Sequence, residues 1–288
     1  MPKYIKCNLC GGEETVVIQK AEELYSVVKC KICGLVYVNP QPAQEELLNF
    51  YGEEYYREWT ERQRNVRIFL WRKRLKDLEK YKGRKGEGQA LQKGRVQAPA
   101  LLDVGCGNGE FLELAKETYQ VHGTEISPFA VEYVKRNLGT EVYMGNLAEL
   151  NLLPNIYDVI TMWHTLEHIP DPLDNLKEAK RILRNDGLLI IEVPNMNAYI
   201  ERAIYRIVKR KQERFFSIYD REPHLFHFTP STLKEILRRA GFRVVKCGPE
   251  VSQVFWQKKL VEYLGIIVHR LTGINVGSTI RVYASKGD

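Results

Sequence analysis

The sequence has neither a long apolar run nor an apolar segment near its start. No stretch approaches the ~20 consecutive apolar residues that a membrane-spanning helix needs. The first residues, MPKYIKCNLCGGEE, do not have the apolar core of a secretory signal. We therefore expect a cytoplasmic protein, in which cysteines stay reduced and paired cysteines favour metal binding over disulfides.

Acidic residues are fewer than basic ones: the sequence has 36 Asp and Glu and 43 Lys and Arg, so the formal net charge is +7. This balance fits an anionic partner such as nucleic acid, a nucleotide-linked substrate or a lipid headgroup surface. It equally fits a soluble enzyme with a lysine-rich face. Hydrophobic residues make up 44% of the 288 residues, which excludes wholesale disorder. The length allows one large α/β domain and a small accessory module.

Four of the six cysteines form two CxxC pairs near the start of the chain. The spacing of Cys7, Cys10, Cys30 and Cys33 is typical of tetrahedral zinc ligands. Four thiolates leave no open coordination position, so this Zn²⁺ would be structural. The segment is too small to fold around its own core, so it needs the metal. Free thiols or disulfides are the alternative. We assign residues 1–42 to a zinc-ribbon module.

The rest of the chain divides into a connector and one large domain. Residues 43–98 predict a helical connector followed by a flexible linker rich in Gly, Lys and Gln. Strand and helix patterns alternate over residues 99–288, which predicts an α/β domain with a mostly parallel sheet and an antiparallel last strand. A basic amphipathic stretch interrupts the alternation and predicts a helical insertion at about 195–222.

A glycine-rich turn follows the first strand of this domain, in LLDVGCGNGEFL. It lacks the lysine of a P-loop and reads GxGxG rather than the GxGxxG of a dinucleotide site. Asp103 precedes the turn, and a carboxylate there would repel a phosphate bound at the helix N-terminus. S-adenosylmethionine carries a sulfonium and an ammonium instead, so an acid is favourable. Glu125 ends the second strand, where a carboxylate can accept both hydroxyls of a ribose.

The ordered motifs LLDVGCGNGEFL, HGTEIS, YDVITMWHTLEHIPDP and NDGLLIIEVPN span about residues 100–247. Together they resemble the Rossmann-like (class I) S-adenosylmethionine-dependent methyltransferases, and among these the ubiquinone-biosynthesis-like and sugar-methyltransferase-like groups. Some sugar methyltransferases also carry a zinc ribbon. The resemblance implies a transferase whose cofactor-binding residues are Asp103, Gly105, Cys106, Gly107, Glu125, Ile126, Asn146, Leu147 and Trp163.

The resemblance also implies roles for individual residues. Gly105 and Gly107 would line the cofactor, Asp103 would support its methionine end, and Glu125 would bind the ribose. Ile126 would pack on the adenine. Asn146 stands where the family often has an Asp near the adenine amine.

Four histidines are candidates for a general base, which a hydroxyl or carbon-acid acceptor requires. They are His164, His168, His224 and His227. His224 resembles the histidine of a Glu-His pair in sugar C-methyltransferases, but Pro223 separates it from Glu222, which argues against C-methylation of a deoxysugar. His168 follows Glu167, and in ubiquinone-type relatives such a pair can hold a divalent metal. A packed, hydrogen-bonded His168 is the alternative.

The acceptor implied by the resemblance is a small molecule: a sugar, a quinone-like ring or a lipid-linked precursor. The basic insertion fits an anionic acceptor or a peripheral contact with a membrane surface, and a solvated helix face is the alternative. Nothing in the sequence selects nucleic acid. Two other function classes stay open. One is an RNA or protein methyltransferase that uses the ribbon for recognition, and the other is a cofactor-binding protein without turnover.

Overall fold

The computed structural model describes most of the chain. The described residues are 2–21, 24–56, 64–84, 97–210, 214–220, 223–250 and 256–287. All four cysteines of the two CxxC pairs lie within these ranges. Glu222 and residues 85–96 of the predicted linker lie outside it.

The amino-terminal module is a small antiparallel sheet. Its strands are β1 (Thr15–Ala21), β2 (Tyr25–Cys30) and β3 (Val36–Val38). A fourth strand, β9 (Phe226–His227), pairs with β3, with Tyr37 opposite Phe226. Because β9 comes from the chain after the basic insertion, this sheet is shared between the cysteine module and the large domain.

Two helices connect the module to the large domain. The first, α1 (Gln44–Phe50), begins with the Ala43 amide donating to the Glu46 carboxylate at 2.8 Å. The second, α2 (Arg64–Arg84), packs against the short helix α3 (Glu110–Ala115). The helices α1 and α2 fall within the predicted helical connector, and α3 directly follows the glycine turn.

A seven-stranded sheet forms the centre of the large domain. Its strands are Ala100–Val104 (β4), Gln120–Glu125 (β5), Val142–Met144 (β6), Tyr157–Trp163 (β7), Leu183–Pro194 (β8), Phe242–Gly248 (β10) and Thr279–Lys286 (β11). Their order in the sheet is β10-β11-β8-β7-β4-β5-β6. The strands β4 to β8 are parallel, whereas β11 runs antiparallel to both β8 and β10. The predicted fold class, a mostly parallel α/β sheet with an antiparallel last strand, is confirmed.

Helices cover both faces of this sheet, as its doubly buried strands require. On one face α5 (Pro172–Ile182) and α7 (Pro230–Arg239) bury apolar side chains, and on the other face α2, α3 and α4 (Pro128–Leu138) do so. The helix α4 begins at Ser127, whose Oγ accepts from the Ala130 amide, and Pro128 occupies its first turn. The carboxyl ends of the parallel strands are left as an open edge.

Two further helices lie side by side at the periphery. They are α6 (Tyr199–Lys209), which falls in the predicted insertion, and α8 (Trp256–Thr272). Across the described ranges, every helix is too short or too polar to cross a bilayer.

Candidate active site

A cavity of about 500 Å³ lies at the carboxyl ends of the parallel strands, where α/β sheets bind ligands. Tyr51, Tyr55, Tyr56 and the helix α2 also border it. All nine residues predicted to bind the cofactor line this cavity, and so do His168 and His224. The sequence-predicted site residues are therefore brought together around one space.

The glycine turn has a left-handed backbone conformation, which is energetically unfavourable for residues with a side chain. Gly105 and Gly107 have φ angles of 72° and 53°, in the left-handed region. A Cβ on Gly105 would lie 2.5 Å from Cγ2 of Thr165, so a side chain there would clash. This conformation brings the Gly107 amide to 2.9 Å from Oε2 of Glu125. The turn and the acid at the end of β5 therefore form one structural unit.

Glu125 is a buried carboxylate that protein donors surround. Its Oε1 accepts from the amides of Ile126 and Ser127, at 2.8 and 3.0 Å, and from the Tyr56 hydroxyl at 3.2 Å. Burial raises the pKa of Glu125, and these donors oppose that rise. The donors hold the carboxylate in one orientation at the cavity wall. Tyr56 also ties the segment before α2 to this end of the cavity.

Asp103 lies deeper, at the end of β4, and is almost fully buried. The Thr161 hydroxyl donates to its Oδ1 at 2.6 Å. Burial raises the pKa of Asp103 to about 7, although the Thr161 hydrogen bond and the charge of Arg74 oppose the rise. Near neutral pH this carboxyl is therefore close to its titration midpoint, and a cation in the cavity would favour its ionised form.

The other predicted cofactor-binding residues form the rest of the cavity wall. Leu147 is fully buried, and burial raises the pKa of the Cys106 thiol well above its ordinary value. The Asn146 amide lies 3.5 Å from Oε1 of Glu149. The indole nitrogen of Trp163 is buried and has no hydrogen-bond partner among the described residues. Ile126 is half-buried at the cavity edge.

Two arginines of α2 line the cavity and form ion pairs that the sequence analysis did not predict. The Arg67 guanidinium donates to Glu110 at 2.7 and 2.9 Å. Arg74 pairs with Glu192 of β8, a fully buried acid that Arg281 of β11 also contacts at 2.6 and 2.7 Å. This pairing satisfies three buried charges at once and fastens α2 to the sheet.

Two histidines of the cavity lining, His168 and His224, lie beside the acid Glu167. His168 Nδ1 lies 3.0 Å from the Pro223 carbonyl, so Nδ1 carries the proton and Nε2 faces Glu167, 4.0 Å from Oε1. The His224 ring centroid is 4.9 Å from that of His168. The donor atoms of Glu167, His168 and His224 lie within 4.8 Å of one another, a spacing that fits one divalent cation.

His164 supplies the positive partner of this acidic group. It has a φ of 52°, which is uncommon for a residue with a side chain. Its Nε2 lies 3.2 Å from Glu192 and its Nδ1 lies 3.5 Å from Glu167. Burial lowers the pKa of His164, but the two carboxylates outweigh burial and raise it to about 9. A ring that stays protonated at neutral pH cannot act as the general base there.

The remaining histidine, His227, has the opposite character. Burial, together with the charges of His224 and Arg202, lowers the pKa of His227 to about 3. Its ring lies 6.1 Å from His224, and it is absent from the cavity lining. Of the four candidate bases, His168 and His224 therefore remain, and both line the cavity.

The four amino-terminal cysteines converge on a single point. Cys7 Sγ lies 3.4 Å from Cys33 Sγ, and Cys10 Sγ lies 3.5 Å from Cys30 Sγ, far longer than a disulfide bond of about 2.05 Å. All four sulfurs lie within 4.8 Å of one another. The set has the donor chemistry and spacing of a tetrahedral zinc site.

Comparison with known proteins identifies the family. Residues 44–247 match the family model described as a methyltransferase domain. The chain is 28% identical over 157 residues to a ubiquinone biosynthesis O-methyltransferase of Nitrosomonas europaea, covering 51% of this chain and 65% of that protein. It is 36% identical over 103 residues to a Mycobacterium tuberculosis protein named as a probable S-adenosylmethionine-dependent methyltransferase, covering 35% of this chain and 38% of that protein.

A solved structure shares the fold. It belongs to a Haloferax volcanii complex between the Trm112 methyltransferase activator and a methyltransferase, with a TM-score of 0.52 at 13% identity. The alignment covers 86% of this chain and 100% of that chain. The sequence matches span between about two-fifths and two-thirds of the curated relatives' length. The family model covers well over half of this sequence, and the chain therefore belongs to the methyltransferase domain family.

Proposed function

We propose that this protein transfers a methyl group from S-adenosylmethionine to a small molecule that binds beside His168 and His224. The main support is that two chemically different groups of residues line one cavity. We call the part with the glycine turn, Asp103 and Glu125 the cofactor end, and the part with His168 and His224, beside Glu167, the acceptor end. A cofactor and an acceptor bound at these ends would face each other, and this alignment is the main requirement of methyl transfer.

The cofactor end suits a ligand with a ribose and positive charge. Glu125 is oriented by backbone amides, and a carboxylate in this position can accept ribose hydroxyls. Asp103 offers a buried negative charge to a sulfonium or an ammonium. When bound, S-adenosylmethionine supplies an electrophilic methyl group with a neutral thioether as leaving group.

The acceptor end suits a molecule that loses a proton on methylation. When a hydroxyl attacks the methyl carbon, the new O–C bond forms as the S–C bond breaks, and the hydroxyl proton must be received. We assign that proton to His224. The ubiquinone-biosynthesis relative supports a hydroxyl on a quinone-like ring, and a sugar or a lipid-linked precursor are the other candidates. A divalent cation at Glu167, His168 and His224 would instead lower the pKa of that hydroxyl.

Replacing His224 by glutamine tests the acceptor end. We expect turnover to fall by about 10²-fold or more, because a positioned general base contributes on that order. The affinity for S-adenosylmethionine should stay within about twofold, since Asp103 and Glu125 are unchanged. Transfer of a labelled methyl group to panels of catechols, nucleotide-linked sugars and polyprenyl-phosphate sugars measures the first quantity, and calorimetry measures the second.

His122→Gln is the matched control, because His122 is half-buried on β5 and does not line the cavity. It should leave both quantities unchanged. Full turnover in His224→Gln would dismiss this histidine as the base. Label recovered only in RNA or protein would contradict the small-molecule acceptor.

The raised pKa of Asp103 predicts pH-dependent cofactor binding. Below pH 7 the carboxyl holds a proton that it must release to face a cation, so affinity should fall by up to tenfold per pH unit. Above pH 7 the affinity should level off. The same shift means that stability falls as pH rises from about 4 to 7, since the folded chain keeps a proton that the unfolded chain loses.

Calorimetry in buffers of different ionisation enthalpy measures this proton release. We expect nearly one proton per bound cofactor at about pH 6 and almost none at about pH 8. Asp103→Asn should bind weakly at every pH and release no proton. Wild-type affinity that is constant across this range, with no proton release, would show that Asp103 does not meet the cofactor's charge.

A further inference from the structure

The helix α6 presents apolar side chains to solvent. Ile200, Ile204 and Ile207 recur at the spacing of one helix face, and Ile204 and Ile207 are 41% and 76% exposed. The neighbouring Tyr199 and Tyr205 are 58% and 41% exposed. An apolar helix face normally packs against a core, so this one lacks a partner within the described chain.

The helix α8 repeats this arrangement over a longer stripe. Each of its exposed apolar residues lies three or four residues from another, which places them on one face. The opposite side of α8 packs inward through Glu262 and Gly265, which are buried. The exposed stripe consists of Leu260, Tyr263, Leu264, Ile267 and Leu271, between 45% and 81% exposed.

The two stripes belong to one region of the surface, because α6 and α8 have Cα atoms within 8 Å of each other. The exposed charged side chains described on these helices are cationic: Arg206 on α6, Arg210 directly after it, and Arg270 on α8. The acids of the two helices are withdrawn, since Glu201 is half-buried and Glu262 is buried. The surface therefore combines an apolar centre with charge of one sign.

We propose that α6 and α8 together dock on an anionic phospholipid bilayer. Apolar side chains that enter the acyl boundary beside arginines that meet lipid phosphates are the combination that holds a helix in the plane of a membrane. A second copy of the chain would bring the same cations against themselves, which electrostatics disfavours. An anionic bilayer instead supplies the complementary charge and a surface broad enough for both stripes.

The surface adjoins the acceptor end of the cavity. The helix α6 begins five residues after Pro194, which lines the cavity, and the charge of Arg202 on α6 acts on His227. An amphiphilic acceptor would therefore reach His224 from the bilayer. This last step rests on the proposed function, whereas the docking itself does not.

Vesicle binding tests the docking without reference to activity. The full-length protein should sediment with vesicles of phosphatidylcholine and phosphatidylglycerol at least tenfold more strongly than with phosphatidylcholine alone. Arg206→Glu combined with Arg270→Glu should remove most of that difference, since each cation near an anionic surface contributes roughly fivefold. Ile207→Glu combined with Leu271→Glu should abolish binding, because both side chains would enter the acyl boundary.

Leu153→Glu is the matched control, since Leu153 is 71% exposed on the loop before β7 and belongs to neither helix. It should bind vesicles as the wild type does. Ile207 and Leu271 are 76% and 81% exposed, so their replacement should leave cofactor affinity unchanged, which calorimetry checks. Vesicle binding that is absent in the wild type, or unaltered in Ile207→Glu/Leu271→Glu, overturns the proposal. Self-association removed by the same pair without vesicle binding would make this face a contact between copies.

Discussion

Glu125→Gln should weaken S-adenosylmethionine binding by roughly a hundredfold. A hydrogen bond to a charged acceptor contributes about 1.5–3 kcal/mol, and two ribose hydroxyls would lose that charge together. Tenfold in affinity corresponds to about 1.4 kcal/mol, so a loss near 3 kcal/mol gives the expected factor. The amide nitrogen would also oppose one of the donors that now orient Glu125, from Gly107, Ile126 or Ser127.

Calorimetry with S-adenosylmethionine measures this loss, and two further variants separate binding from folding. Glu132→Gln makes the same chemical change at an exposed position of α4 and should bind normally. Tyr56→Phe removes one donor to Glu125 and should cost less than Glu125→Gln. Thermal unfolding of each variant establishes that the fold is intact. Unchanged affinity in a folded Glu125→Gln would refute the placement of the ribose.

Cys30→Ser should abolish the metal content of the amino-terminal module and unfold it. Metal analysis of the wild type should give one zinc per chain, because the four sulfurs form one closed tetrahedral set. Structural zinc contributes on the order of 10 kcal/mol in small zinc-finger peptides, far more than three short strands supply alone. Cys247→Ser is the control, since Cys247 lies on β10 and outside the cluster.

Loss of zinc should affect the two ends of the cavity unequally. The strand β3 pairs with β9, which follows His224 and contains His227, so disorder in the module would reach the acceptor end. The cofactor end rests on β4 and β5 and has no strand in that sheet. We expect Cys30→Ser to lose turnover while keeping most of its affinity for S-adenosylmethionine. Wild-type metal content near zero, or turnover that survives in Cys30→Ser, would contradict this.

The strands that the sequence predicts well are those with apolar runs between glycines or prolines. The sequence does not indicate the strand β2, because Ser26 and Lys29 interrupt its apolar pattern and its last residue, Cys30, is a candidate metal ligand. The strand β8 begins at Leu183, five residues before its apolar run starts at Leu188, because it extends through the polar residues 184–186 to pair Leu183 with Tyr157. Pairing with a neighbour decides such bounds, and a single segment does not contain that information.

The candidate site also contains residues that local sequence predicts and residues whose contacts depend on distant parts of the chain. Asp103, the glycine turn and Glu125 could be predicted because local sequence encodes strand ends and turns. The contacts of Tyr56, Arg74 and His164 could not, since their partners lie far away in sequence. One signal was nevertheless present: Glu192 interrupts the apolar run LLIIEVP, and an acid in a doubly buried strand requires a cationic partner. That reasoning predicts a buried arginine, without saying that Arg74 and Arg281 supply it.

The four-stranded arrangement of β1, β2, β3 and β9 has a consequence for protein engineering. A chimaera that takes the first 42 residues from a relative would break the backbone ladder between Val36 and His227 unless the donor's strand matched its new neighbour. Grafting would succeed only if the stretch around Phe226 travelled with the ribbon. The two segments should therefore vary as a pair among natural homologues, although more than 180 residues separate them along the chain.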